Sequence, residues 1–480
     1  MVRFAVLAAL LSGCAQLFGL DETTGSAPAA SLSIQRVSIG ARLVYAPQDL
    51  AGSTATYLVA DDVDPTGLGR VTASQSELGT WTAPLREAAP LLFDLPDYPT
   101  PVQRIFDFPQ TGQQALFGVM EHPDPQPAPE GATITVSATL DAPHTAADTY
   151  QLYTLGSWNQ LGLAVPGLGA AALTTAALPF TSMASITGRP HERITADDAA
   201  VVLRYNGNQL RAAVVAPPFE QTGTDTITGT LTAVTLEAFT VKIDQAAATA
   251  RYTMVRPNFG APTVQWTLRA APGGLLNNDN GPLLHAGGPT DPTTISFMAG
   301  NPFVDRAWTS TMLWLTQASR TYTPPSAGLP VTLVAGMHER AIPAPGLQML
   351  LPAGLPTRIS LNGTLLVMDG ISIAKPARAV EVSFETDVAS NTLYQLQLFK
   401  LVPNTAMPPT ALVLQQKLGA SGAVPRFTLP PELFEAGGLY TLRAVAVQGG
   451  FPGIAEGDLV QRALPIGLSF LDSGVFEVLP

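Results

Sequence analysis

Thr226-Ile227-Thr228-Gly229-Thr230-Leu231-Thr232-Ala233-Val234-Thr235-Leu236 is the stretch whose reading decides the fold. Ile227, Leu231 and Ala233 fall on one side of a period of two, and Thr226, Thr228, Thr230 and Thr232 on the other. That is the repeat of a half-buried strand and not of an amphipathic helix, and threonine and isoleucine suit a pleated surface. The stretch lies at the heart of Phe219–Arg256, the longest run without proline. Elsewhere the 43 prolines fall throughout the chain and break helices where they fall. The expectation is an all-β protein.

Strand-like segments of the same kind extend in both directions, separated by proline and glycine punctuation. Upstream, Val201 to Tyr205 and Leu210 to Val215 flank Asn206-Gly207, a pair that tolerates the positive φ angles of a tight hairpin. Thr133 to Ala138 alternates cleanly. Four prolines in Glu121–Pro129 read as a stiff linker. Downstream, Val264, Trp266 and Leu268 share a face, as do Met312, Trp314 and Thr316. The predicted organisation is a β-sandwich at 31–128, a second at 129–218, a larger β region at 219–376 holding one or two sandwiches, and a last domain at 377–480. Ala132–Ser137 with Thr149–Leu152 parallels Ala379–Ser383 with Leu393–Leu396, an order that suggests related second and fourth domains.

The last domain resembles fibronectin type III. Phe384 stands where that family's core tryptophan sits, Tyr394 matches the tyrosine of its third strand, and Tyr440 matches the tyrosine-corner residue before its sixth. The missing tryptophan and the Pro430–Phe434 lead-in depart from the pattern, so the resemblance implies a fibronectin-like, Ig-like sandwich. It also implies that Tyr440 is buried with its hydroxyl bonded to backbone.

At the other end, Arg3 precedes the short apolar run Phe4–Leu11, which ends in Leu11-Ser12-Gly13-Cys14. The run is too short to span a bilayer and has the order of an export signal. The last four residues resemble the lipobox of bacterial lipoproteins. The resemblance implies a signal peptide at 1–13, cleavage before Cys14, a lipid on that thiol and a flexible tether over 14–30. It places the protein in the cell envelope, with Ala15 in place of an aspartate leaning toward the outer membrane. The expected partner is then the membrane, through this N-terminal anchor.

Composition limits function. Only 13% of residues are charged, with 25 Lys and Arg against 37 Asp and Glu, and cleavage would remove Arg3 and no acid. A net negative chain without basic runs argues against nucleic acid or anionic lipid. Cys14 is the only cysteine, which leaves no disulfide, no Cys-x-x-Cys zinc site and no thiol nucleophile.

The motifs with chemical meaning are each short of a member. Asp62, Asp64 and Thr66 resemble the first half of a calcium loop, but its twelfth position is Ala73. The same triplet resembles a dehalogenase nucleophile loop, which needs a parallel α/β sheet. Asp141, His144 and Asp148 offer three metal ligands in one loop. His191-Glu192 and His338-Glu339 lack the second histidine of a zinc helix. Ser372 and Lys375 fit Ser-x-x-Lys, but on a strand-like segment with no Lys-Thr-Gly. Trp158 and Trp308 are candidates for stacking on sugars. The resulting expectation is a non-catalytic structural, adhesion or binding module with no cofactor and a glycan or envelope-protein ligand. The alternative is an envelope hydrolase drawing a carboxylate pair from Glu237, Asp244, Asp279 and Asp305.

Overall fold

The computed structural model describes residues 29–49, 54–57, 69–71, 74–84, 91–94, 103–107, 113–119, 122, and 124–480 except 186–190, 256–257, 273–280, 290, 350–353, 368, 387–391, 404–409, 422–425, 455–457 and 461–462. Thr224–Thr230 is a strand, with Ile227 buried and the flanking threonines Thr226 and Thr228 exposed, as the alternation requires. Its partner was not foreseeable. It runs parallel to Thr133–Thr139, pairing Thr133 with Thr224 through Thr139 with Thr230. The stretch therefore closes the second sandwich and does not open the third, so strand pairing crosses the boundary expected at 218. Alternation fixes which face of a strand is buried but carries no information on its neighbour.

The protein is all-β, built from sandwiches that repeat one strand plan. In the second sandwich the strands are Thr133–Thr139, Asp148–Leu155, Asn159–Leu163, Ala172–Thr174 continued by Leu178–Pro179, Ala199–Asn206, Gln209–Val215 and Thr224–Thr230. Strand one pairs with strand four and, in parallel, with strand seven. The facing sheet has the order three-two-five-six. The third sandwich repeats the order with Glu237–Lys242, Thr263–Pro272, Leu283–Gly287, Thr294–Ala299, Trp308–Tyr322 and Val331–Ala341. Its strand one pairs with strand four, and its facing sheet is again three-two-five-six. Its seventh place is taken by a single parallel bridge from Lys242 to Gln348. The first sandwich follows suit: Ala29–Ile39 pairs with Thr80–Pro84 and in parallel with Gln113–Val119, and Gly69–Val71, Thr54–Tyr57, Leu91–Asp94 and Gln103–Asp107 lie side by side.

The fourth sandwich carries Val380–Glu385, Thr392–Pro403, Thr410–Ser421, Arg426–Leu429, Leu439–Gly449 and Ile466–Asp472 in the same plan. Its edge differs. Thr357–Leu361 runs antiparallel beside strand one, and Ile371–Ala374 runs parallel to Phe476–Leu479. Both lie before residue 377, so ladders cross that expected boundary too. The segments that suggested an internal repeat, around Thr133 and Thr149 and around Val380 and Thr392, occupy equivalent strands one and two.

Neighbouring sandwiches share ladders. Ala335–Arg340 of the third pairs with Ile466–Leu471 of the fourth, Gln209 of the second bridges His285 of the third, and Gln103–Asp107 of the first runs parallel to Gln416–Ala420 of the fourth. The largest hydrophobic core accordingly runs from Val37 and Ile39 through Trp158, Trp266 and Trp314 to Phe384 and Val478. In Ala199–Asn206, Val201 and Leu203 face this core while Ala200 and Val202 face a second one inside the sandwich. A sheet covered on both sides explains why that strand reads Ala-Ala-Val-Val-Leu without alternation.

Among the described residues one α-helix interrupts the β pattern, at Gln245–Arg251. It lies inside the proline-free window in which the sequence argues for strand. The threonine-rich half is strand; the alanine-rich half, Gln-Ala-Ala-Ala-Thr-Ala-Arg, has high helix propensity and starts behind Asp244, whose side chain accepts from Ala247 N at 2.8 Å. No helix among the described residues is long and apolar enough to cross a membrane.

Candidate functional site

Among the described residues, two constructions at opposite ends of the second sandwich join distant parts of the chain through side chains. The first is a clamp on the first sandwich. Trp158 lies in the turn between strands two and three at φ 54°, a left-handed conformation unusual for a bulky residue. Its indole N–H donates to the Ile39 carbonyl, and that of Trp308 donates to the Ala41 carbonyl at 2.7 Å. The rings stack at 5.9 Å between centroids. The turn Ile39–Ala41 is thus gripped by one tryptophan from the second sandwich and one from the third. Both rings are essentially fully buried, at 0% and 1% exposure, so neither presents a face to a sugar. This corrects the expectation of stacking aromatics: a tryptophan after a glycine turn is read equally well as a rim residue or a locking residue, and here it locks.

Asp198 buttresses the same junction. Its carboxylate lies 2.7 and 2.8 Å from His122 Nε2 and accepts from Thr195 N at 2.9 Å. Gly156, at φ 115°, passes so close that any Cβ would overlap the carboxylate. The hydrogen bond to Asp198 raises the His122 pKa above 6.5 against the opposing effect of burial, and the charges of Asp198, Glu192 and Asp197 add to the rise. His122 N also donates to Glu192 at 3.1 Å, and Arg42 pairs with Asp197 at 2.6 Å. The proline-rich linker is therefore strapped to the second sandwich, with Ala128 N donating to His191 O and Arg193 N to Gln126 O.

The second construction is a hub beneath the loops at the other end. Arg204 is buried and bonds Asp148 at 2.7 Å, Asp141 at 2.9 Å and the carbonyls of Ala142 and Pro143. Burial by itself would raise the Asp148 pKa, but hydrogen bonds from Arg204, Thr145 and Asn206 outweigh it and hold the carboxyl well below its usual range. His144 sits 3.3 Å from Tyr150 Oη and 3.8 Å from Asp148. The Asp-His-Asp loop thus encloses a guanidinium: Arg204, 56 residues beyond Asp148, supplies the positive charge that a metal would have brought. Among the described residues no group of three or more His, Cys, Asp or Glu could hold a metal ion.

The remaining sequence candidates disperse. His191 Nε2 is 2.6 Å from the Met183 carbonyl, and Glu192 serves His122. His338 and Glu339 lie in strand six of the third sandwich. Ser372 is exposed on a strand paired with Phe476–Leu479. Glu237 opens a strand, Asp244 caps the helix and Asp305 lies in the turn Val304–Arg306. Asp279, Asp62, Asp64, Thr66 and Cys14 lie outside the described residues. Sequence reading missed Asp198, His122, Gly156 and Arg204, because each acts on a partner 40 or more residues away and none belongs to a local motif.

No family model matches the chain, and no curated protein matches it. Among solved structures it is similar to a streptococcal ancillary pilin, at 7% identity and a TM-score of 0.12 over 60% of this chain and 89% of that one. It is also similar to the native conformation of E. coli alpha-2-macroglobulin, at 8% identity and a TM-score of 0.14, over 90% of this chain and 33% of that chain's length. Likenesses at this level carry no argument about activity or partners. The fold is that of an all-β protein of tandem Ig-like sandwiches.

Proposed function

We propose that this is a lipid-anchored cell-envelope protein that works as a non-catalytic structural or binding scaffold. In this reading Cys14 carries the lipid, the residues after it form a tether, and the sandwiches hold loops at fixed positions for a glycan or another envelope protein. The observation that carries the scaffold part is the clamp. Two buried tryptophans and an Asp198–His122 pair are spent on fixing one sandwich against two others, and the ladders between sandwiches serve the same end. Loops at sandwich ends are the natural binding ground on such a frame. Most polar groups at the two constructions bond to the protein itself, an arrangement that favours rigidity over reactivity.

Fractionation of cells expressing wild type and Cys14→Ser tests the anchor. Wild type is expected in the membrane fraction and the variant in the soluble fraction; equal membrane retention would reject it. Screening purified protein against glycosidase, esterase, phosphatase and peptidase substrates, with and without divalent metal, tests the scaffold. Turnover abolished by replacing one carboxylate or serine would make the protein a hydrolase.

A further inference from the structure

In three of the sandwiches strand one has a partner on both sides. It runs between Thr80–Pro84 and Gln113–Val119 in the first, between strand four and Thr224–Thr230 in the second, and between Arg426–Leu429 and Thr357–Leu361 in the fourth. In the third, Glu237–Lys242 pairs on one side with Thr294–Ala299, and on the other side the described residues supply only the bridge from Lys242 to Gln348. The sequence explains the difference. After Ala341 the chain reads Ile342-Pro343-Ala344-Pro345-Gly346, and neither proline has an N–H to give a ladder. Leu347 N donates to Ala344 O at 3.0 Å, closing a turn with Gly346 at φ 74°. The chain rejoins strand one only at its end, where Lys242 N donates to Leu347 O at 2.8 Å and Met349 N donates to Lys242 O at 2.9 Å. In an antiparallel ladder the N–H and C=O of one residue point to the same side, and the side alternates along the strand. Those of Lys242 point to Leu347 and Met349, so those of Ala238 and Thr240 point the same way, and no described residue bonds to them. Ala238 and Thr240 are exposed, Phe239 is half-buried and Val241 is buried. Phe239 stacks on Phe297 at 5.2 Å, which fixes the strand. Proline, glycine and bulges, which blunt natural sheet edges, are all missing from Glu237–Lys242, and its charges stand at its two ends. It is an interior strand by sequence and by place in the plan, with one edge left open.

We propose that the edge of Glu237–Val241 is a β-augmentation site, which takes an extended segment of another envelope protein, about five residues long, into the seventh place of the third sandwich, parallel to strand one. The chemistry selects this occupant. Outward N–H and C=O groups recurring every second residue match the repeat of an extended polypeptide backbone, which neither a sugar nor a lipid has. The direction follows from Gln348, which already pairs in parallel with Lys242, and from the first and second sandwiches, whose strand seven is parallel to strand one. A second copy of this chain pairing through the same edge would be related by a two-fold axis and would run antiparallel, against that register. One face of the added strand lies beside Phe239 and Val241, so alternate residues of the partner are apolar. Exposed Glu237, at the start of strand one, favours a basic residue at the start of the partner segment. The proposal rests on the binding reading above and narrows its ligand from a glycan or a protein to an extended polypeptide.

The test uses the full chain carrying Cys14→Ser, which separates this proposal from the anchor, and the probe is a displayed library of random heptapeptides selected against it. Enriched peptides are expected to alternate apolar and polar residues. The strongest is synthesised with N-methyl groups on one or the other set of alternate amides. Methylating the set that faces the edge is expected to weaken binding about tenfold or more, and methylating the other set to change it less than about twofold. Thr240→Pro is expected to weaken binding of the unmethylated peptide to a similar degree. The Thr240 N–H points outward, so an edge proline is compatible with the fold, and an unchanged circular dichroism spectrum confirms it. Should that variant not fold, the methylated peptides still decide, because they act on the unaltered edge. Hydrogen exchange across Glu237–Lys242 is expected to slow when peptide is added. No enrichment, equal binding of both methylated sets, or exchange that is as slow without peptide as with it would overturn the proposal. A dimer of the chain that Thr240→Pro abolishes would assign the edge to self-association instead. The substrate screen above reports on the scaffold separately, so a failure of that reading and a failure at this edge are distinguishable.

Discussion

Asp198 shows how one residue ties distant parts of the chain together. It is buried, its carboxylate meets His122, and His122 in turn fixes the linker. Because this contact raises the His122 pKa, the stability it contributes is fully present below about pH 6.5, the unfolded value, and is lost as pH rises through the higher folded value. The first sandwich should therefore be held most firmly in mild acid. Following protease cleavage in the linker as pH is raised from 5 to 8 checks this: susceptibility should increase in wild type and become nearly flat in His122→Gln. Arg204 offers a second residue-scale test. Replacing it with Met leaves Asp148 buried without its cation and is expected to cost about 3–5 kcal/mol in urea unfolding. A loss under 1 kcal/mol would mean that the cluster is not what fixes the loops. Neither residue was legible in the sequence. Asp141, His144 and Asp148 could be seen as a group because they are close in the chain, but the cation that satisfies them arrives from a strand far along it.

At the scale of elements, the alternating segments were read correctly as strands, because burial on one face imposes the period whatever the partner. Tyr440 was also legible: it is buried, and its hydroxyl accepts Glu435 N at 2.8 Å, five residues upstream, as the fibronectin-like pattern implies. Tyr440→Phe is expected to cost about 1 kcal/mol by chemical denaturation. Phe384 is buried and packs against Tyr394 and Phe427. Partner choice was not legible. The edges of the fourth sandwich come from Thr357–Leu361 and Ile371–Ala374, and Gly354 O accepts from Ser469 Oγ at 2.9 Å. A fragment of residues 377–480 lacks both strands and exposes two ladders, whereas one of residues 354–480 keeps them. We expect cooperative thermal unfolding from the longer fragment and a broad, low transition from the shorter; equal cooperativity would show that the added strands are dispensable. The helix at Gln245–Arg251 marks the other limit of the pattern. Absence of proline permits a helix, and a capped run of alanines was enough to form one beside a stretch that reads as strand.

For the whole molecule, the central claim is that the sandwiches form one locked frame and not a string of independent modules. Composition pointed to separate domains because proline-rich segments read as linkers, yet Pro127 bridges Glu192 and the linker is itself bonded to the second sandwich. The third and fourth sandwiches meet through six consecutive pairs between Ala335–Arg340 and Ile466–Leu471, which turns two sheet edges into an interior. Hydrogen exchange of the full chain, read by mass spectrometry on peptides covering these two strands, tests the claim most directly. We expect their amides to exchange as slowly as those of the central strand Leu439–Gly449, at the rate of global unfolding. Exchange on the time scale of open edge strands would contradict the locked frame and return the protein to a chain of separate sandwiches.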